Sequence, residues 1–456
     1  MTFIYIIEIL IGIFPIFKIA RRKDINLFDV FLFFSSIYFA WVPLVVERDN
    51  FLFNGFVFRE NIAFEANIIC LLFFVVFFVA GVFIGSLNSF NITRTIRIIF
   101  NTLDVKKDAS KVFFILCTII LLLCLYAFNE KIQMDSVSRD DIEAATDRAG
   151  GVFKLVSQLY QFAYPCLCFL YFLYFYKRKV HKAHINRLNY LTISFFVIMT
   201  LLGPRTQLAI MASLLLISLY SIDKRYFFSK RFKIQLLIIT LLLPLTFVLI
   251  TGFRFAVSLY KNDVVDVSLM RNPDLLYEAA TTIDINDLES SNNAGSRSTY
   301  LYSSYVKSFT SSYQGFGLLA LKALSYSMPR FLLPDKDLGG TQYLFENDFG
   351  EHIDIADSLI LYSVMECRML SSFIGLFIFS IYILIWHRVL NYMMLLKQRN
   401  KGIISAQYLT FAFFFAANIE LGVDAYVANL FYAIITLLLI LALLNYLTRI
   451  YSIKIL

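Results

Sequence analysis

Three arginines stand where few charges would be tolerated. Arg205 follows Gly203-Pro204 between two apolar runs, Arg254 follows another in Thr251-Gly252-Phe253-Arg254-Phe255, and Arg330 lies in the run Met328-Pro329-Arg330-Phe331-Leu332-Leu333-Pro334-Asp335-Lys336-Asp337. A guanidinium is permanently charged and grips phosphate oxygens in a two-pronged fork, so three of them on one face could hold a pyrophosphate. Each could instead snorkel to lipid headgroups or pair with a carboxylate. Candidate general bases are Glu420 and Asp424, four apart in Ile419-Glu420-Leu421-Gly422-Val423-Asp424, His352 in Gly350-Glu351-His352-Ile353-Asp354, and Glu366 in Glu366-Cys367-Arg368. A base must sit within hydrogen-bond reach of the proton it takes. Glu366 and Arg368, two apart on a helix, point to nearly opposite sides, so each wants a partner elsewhere. Asp335-Lys336-Asp337 spells a D-x-D, but Lys336 between the carboxylates neutralises it, and no metal site is expected.

What must position these residues is a membrane. Of the 456 residues 59% are hydrophobic and 16% charged, against about 25% charged in a soluble domain, and the mean hydropathy is +0.70. An all-α polytopic membrane protein is expected. Spans of about 20 apolar residues are read at 2–20, 27–46, 63–86, 112–128, 152–176, 189–203, 207–221, 234–252, 358–386, 403–419 and 425–447, about eleven in all. Pro204 and Gly203 divide the sixth from the seventh. Residues 253–357 form one large polar loop, and 129–151 a smaller one. Within the large loop, 309–328 is read as a short amphipathic helix on or dipping into the surface.

More than half of the 41 basic residues fall on one set of alternate connections, from Arg21-Arg22-Lys23 to Arg449 and Lys454 in the tail. By the positive-inside rule that side is cytoplasmic, which puts the N-terminus and the large loop outside and the C-terminus inside. The acidic residues avoid the same segments, where only Asp24, Asp29, Asp104, Asp108 and Asp223 of 33 lie. The net charge of +8 therefore reflects orientation and not a nucleic-acid partner. All six cysteines lie in apolar runs and read as buried thiols. Nucleotide loops, metalloprotease motifs and serine elbows are absent, and no cofactor is expected.

In layout and in short motifs the chain resembles the Wzy-type polymerases of bacterial O-antigen, capsule and exopolysaccharide repeat units. The resemblance is carried by the eleven or so spans, the Gly203-Pro204-Arg205-Thr206 turn, Arg254 opening the main external loop, the run 328–336, similar to the family's Pro-Arg-x-x-x-Pro-x-Lys, and the Glu420–Asp424 turn before the last span. The Arg-x10-Gly pattern of some members is absent, Gly340 falling one residue short after Arg330. The resemblance implies a GT-C-like membrane glycosyltransferase architecture in the bacterial cytoplasmic membrane. It implies transfer of a growing glycan from its polyprenyl-pyrophosphate carrier onto a new lipid-linked repeat unit. Arg205, Arg254, Arg330 and Lys336 would hold the pyrophosphate, and Asp424, Glu420, His352 or Glu366 would activate the acceptor hydroxyl. The loop tyrosines Tyr300, Tyr302, Tyr305, Tyr313 and Tyr326 would offer surfaces to sugar rings. Partners would be the lipid-linked oligosaccharide, membrane lipids, and chain-length regulator and flippase proteins. An O-antigen ligase and a lipid-linked oligosaccharide flippase are the alternatives.

Overall fold

The computed structural model describes residues 2–46, 52–53, 56–57, 60–103, 109–135, 139–181, 187–202, 205–238, 294–311, 314–319, 321–322, 358–396, 401–419, 430, 433–443 and 446, with side chains for most of them. The described chain is almost wholly helical. The exception is a hairpin of two-residue strands, Leu52–Phe53 against Phe56–Val57. Among the described residues four helices are long and apolar enough to cross a membrane: Thr2–Ala20, Leu27–Leu44, Asn61–Phe83 and Arg368–Met394. The chain is a helical membrane protein, divided into two compact units.

The first unit, Met1–Arg97 with Asn292–Ile434, begins with α1 (Thr2–Gly12) and α2 (Phe14–Ala20). They are one span bent where Pro15 enters the first turn of α2, since proline brings no N–H and crowds the preceding turn. The chain reverses through Arg22, at φ 56°. It then enters α3 (Leu27–Ser36), whose N-terminus carries a reciprocal capping box. Asn26 Oδ1 accepts from Asp29 N–H at 3.0 Å, and Asp29 Oδ2 accepts from Asn26 N–H at 2.9 Å. Lys18 closes on the same carboxylate at 2.7 Å. The span continues through a π turn at Ile37–Trp41 into α4 (Val42–Val46). Pro43 explains the π turn. Its ring would strike the carbonyl of residue 39 in an α-helix, and the wider turn relieves that clash.

α5 (Glu60–Phe83) returns across the unit. Phe31, Phe73, Phe77 and Phe379 pack face to face and edge to face, with Phe73–Phe77 centroids at 4.5 Å and Phe31–Phe77 at 4.7 Å. Phe379 belongs to α14 (Ser371–Leu396) and stacks in turn on Phe415 of α15 (Lys401–Ala417) at 5.3 Å. Lipid tails are as apolar as these rings, so close packing rather than the hydrophobic effect holds such helices together. Gly375 lets α14 approach α5, because a Cβ there would lie 2.4 Å from Phe73 Cζ.

The second unit, Ile98–Ser291 with Ile435–Leu456, takes up the end of α6 (Ile92–Thr102). It also contains α7 (Ala109–Asp135), α8 (Arg139–Val180), α9 (Arg187–Leu202), α10 (Arg205–Ile222) and α11 (Lys224–Phe227). α7 and α8 run past the apolar stretches into 129–151, the region expected to be a loop. Helix-forming Glu, Ala, Lys, Gln and Arg residues continue the backbone hydrogen bonds there without needing lipid. Lys177 Nζ donates to the carbonyls of Phe100, Asn101 and Leu103 at 2.6–3.2 Å, capping α6 with a cation where its dipole favours one. Tyr176 O–H donates to Asp223 at 2.8 Å, and the other oxygen of Asp223 caps α11.

Two further elements of the first unit shape the candidate site. They are α12 (Ala294–Ser308), inside the segment expected to be the large loop, and α13 (Leu359–Glu366).

Candidate functional site

The span expected at 358–386 is broken. Ser358 caps α13 by accepting from Leu361 N–H at 3.0 Å, and every residue of α13 is buried. Cys367 is extended (φ −162°, ψ 106°), Arg368–Leu370 form one 3₁₀ turn, and α14 follows. Such irregular backbone in a membrane protein persists only where protein covers it or a polar cavity meets it.

The carbonyls freed at the end of α13 are taken up by a distant stretch of chain. Gly315 N–H donates to Met365 O and Phe316 N–H to Glu366 O, both at 2.9 Å. Gly317 N–H, the next in line, donates to Glu366 Oε2 at 2.6 Å, and Tyr362 O–H donates to Glu366 Oε1 at 3.1 Å. Phe316 (φ 45°) and Gly317 (φ 95°) are left-handed. Successive N–H groups in such a turn point to one side; here two meet the last carbonyls of α13 and the third meets the Glu366 carboxyl group. Gly315 has to be glycine for this contact, since a Cβ would lie 2.8 Å from Glu366 Oε2.

Arg368 serves the helix on the other side. Its Nη2 donates to Ser311 O at 2.9 Å and Phe309 O at 3.3 Å, just past the end of α12, and its guanidinium lies 4.9 Å from the Phe309 ring centroid. A cation at a helix C-terminus meets the negative end of the dipole. Its Nη1 approaches Glu65 Oε1 at 3.6 Å, an ion pair whose carboxylate is 53% exposed and therefore worth little. Glu366 and Arg368 thus avoid each other and both bind the 309–317 segment. Of the stretch 309–328, expected to be one amphipathic helix, the described residues 309–311 and 314–317 are not helical, while 318–319 and 321–322 are.

α12 is seated in the bundle. Tyr302 and Tyr305 are 3% and 0% exposed, which corrects their expected role as sugar platforms. Tyr302 O–H donates to Asn67 Oδ1 at 2.9 Å, Asn67 Nδ2 donates to Tyr5 Oη at 2.9 Å, and the two hydroxyls lie 2.7 Å apart. The Tyr302 proton is spent on Asn67, so Tyr5 donates to Tyr302, and the three groups close a ring. Tyr305 O–H donates to Ala66 O at 2.8 Å. Beside the ring Glu8 is wholly buried, with the Cys70 thiol against it. Tyr5 faces Asn67 and, three residues on in both helices, Glu8 faces Cys70, so α1 and α5 run in the same direction. Sequence reasoning passed over this cluster. The available signal was a carboxylate, Glu8, and an asparagine, Asn67, each inside an apolar span.

Of the other expected site residues, Arg205 opens α10 in the second unit, its backbone alone described. Arg254, Arg330, Lys336, His352, Glu420 and Asp424, like Tyr313 and Tyr326, lie outside the described residues. Among the described residues no group of three or more His, Cys, Asp or Glu is placed to hold a metal ion. No protein-family model, curated protein or solved structure matches the chain.

Proposed function

We propose that the chain is a membrane glycosyltransferase that polymerises polyprenyl-pyrophosphate-linked oligosaccharide repeat units. In this reading it works at the outer face of the bacterial cytoplasmic membrane, with its N-terminus outside and its C-terminus inside. The observation that supports the reading most is the broken helix at Cys367. An arginine and a glutamate flank the break at the end of a membrane span, and both hold a segment of the large polar loop. A lipid-linked donor arrives from the bilayer and its acceptor from water, so the loop has to be fixed at that boundary.

The arginines Arg205, Arg254 and Arg330, with Lys336, stabilise the charge that develops on the departing pyrophosphate. Glu366 is engaged by Gly317 and Tyr362, so in this scheme it positions the loop. Activation of the acceptor hydroxyl then falls to Asp424, Glu420 or His352. The donor and acceptor are both lipid-linked oligosaccharides, and a flippase and a chain-length regulator are the expected protein partners.

The test is deletion in the host followed by complementation, with surface glycan separated by length. Deletion should leave a single repeat unit on the acceptor, and the wild-type chain should restore the ladder. Arg205→Ala and Arg330→Ala should not. Normal-length polymer from both variants would sink the proposal, and loss of all surface glycan on deletion would point to a flippase.

A further inference from the structure

Glu8 lies six residues into the span Thr2–Ala20, about 9 Å along the helix axis. It is 0% exposed, and neither carboxyl oxygen has an N–H or O–H donor among the described residues. The polar group against it is the Cys70 thiol, a weak donor.

The groups around it are already engaged. On α1, one turn away, the Tyr5 hydroxyl is held between Asn67 and Tyr302. On α5, Asn67 is held by the same two hydroxyls, and Glu65 is half exposed and turned to Arg368. On α12, Tyr305 donates to Ala66. On α2 and α3 the ionisable groups are Lys18 and Asp29, which bind each other, and the π turn contributes only Tyr38. No lysine or arginine pairs with Glu8 among the described residues. An isolated carboxylate in such a place is costly, whereas a neutral carboxyl group can rest against a thiol.

We propose that Glu8 is an intramembrane proton-binding site whose ligand is a single proton, and that the Tyr5–Tyr302–Asn67 ring stays closed while the proton is bound. Release leaves a carboxylate with no strong donor. A strong donor on the same helix, one turn away, is the Tyr5 hydroxyl, whose one proton is committed to Tyr302. Turning that proton to Glu8 opens the ring and breaks the bond from Tyr5 to Tyr302, so that α12 loses its tie to α1 and keeps only the Tyr302–Asn67 and Tyr305–Ala66 bonds to α5. Proton binding at Glu8 is thereby coupled to the seating of the loop helix. This inference does not depend on the polymerase reading.

Three measurements on the full-length protein in vesicles test it. Dicyclohexylcarbodiimide, which enters lipid and reacts with protonated carboxyl groups, should modify Glu8, mapped by peptide mass spectrometry. The modification should decline as pH rises, and a water-soluble carbodiimide should leave Glu8 untouched. The infrared difference between wild type and Glu8→Gln should contain a carboxylic-acid C=O band that disappears at alkaline pH. Hydrogen exchange over 301–308 should quicken in wild type as that band is lost and stay constant in the variant. Absence of the band at every pH overturns the proton site, and exchange indifferent to the titration overturns the coupling. If Glu8→Gln fails to fold, wild type decides alone: Glu8 left unmodified at acidic pH, or modified equally at all pH values, refutes the proposal.

Discussion

Replacing Glu366 by alanine tests how the loop is held. The substitution removes two acceptors, one for Gly317 N–H at 2.6 Å and one for Tyr362 O–H at 3.1 Å. It leaves the backbone bonds of Gly315 and Phe316 to Met365 and Glu366 intact. An unmade hydrogen bond costs about 1–3 kcal/mol when the orphaned group is buried. Gly317 is exposed and Tyr362 is buried, so the two losses differ in kind. Water can reach the Gly317 amide, which sets its share near 1 kcal/mol, felt as local opening. The Tyr362 share, roughly 1–2 kcal/mol, falls on the packed bundle and lowers the melting temperature. Hydrogen exchange over 314–319 should therefore quicken about fivefold in Glu366→Ala. Glu366→Gln, which retains one acceptor oxygen, should fall between it and wild type. Tyr362→Phe should lower the melting temperature and leave the exchange alone. Unchanged protection over 314–319 in Glu366→Ala would refute the idea that this carboxyl group anchors the turn.

Lys18→Met strands the buried Asp29 and should cost about 3–5 kcal/mol in thermal unfolding in detergent; adding Asp29→Asn, which can still accept from Asn26 N–H, should recover much of that. Gly375→Ala drives a methyl group into Phe73 and should cost about 1–3 kcal/mol. Adding Phe73→Leu should make the pair less destabilised than the sum of the single changes, whereas strict additivity would show that the close approach is not the cause.

The helical membrane character was legible because it needs only apolar runs of sufficient length. Glu366 and Arg368 were expected to part because helical spacing two residues apart forbids a pair; they do part, but across an extended Cys367 and not on one helix. The break between them was not legible. No glycine or proline marks Cys367, and the helix ends there with its freed carbonyls satisfied by Gly315 and Phe316, some fifty residues earlier in the chain. The interior position of α12 was hidden for a related reason. Its Ser- and Tyr-rich sequence reads as a wet loop, yet the Tyr302 and Tyr305 hydroxyls find partners in Asn67, Tyr5 and a backbone carbonyl. Glu8 is legible as a charge inside a span, but its burial without an N–H or O–H donor depends on how α1 packs against the rest of the bundle, which no local pattern encodes.

The ring that seats α12 joins residues 297 positions apart. At about 5–20 residues per second, translation leaves roughly 15–60 s between the emergence of Tyr5 and that of Tyr302. The first helices therefore enter the bilayer before one member of their polar cluster exists. During that interval Tyr5 and Asn67 can satisfy each other only in part, and Glu8 has nothing but Cys70 beside it. The amino-terminal bundle is thus a waiting intermediate in assembly, completed when a segment from the last third of the chain folds back into it.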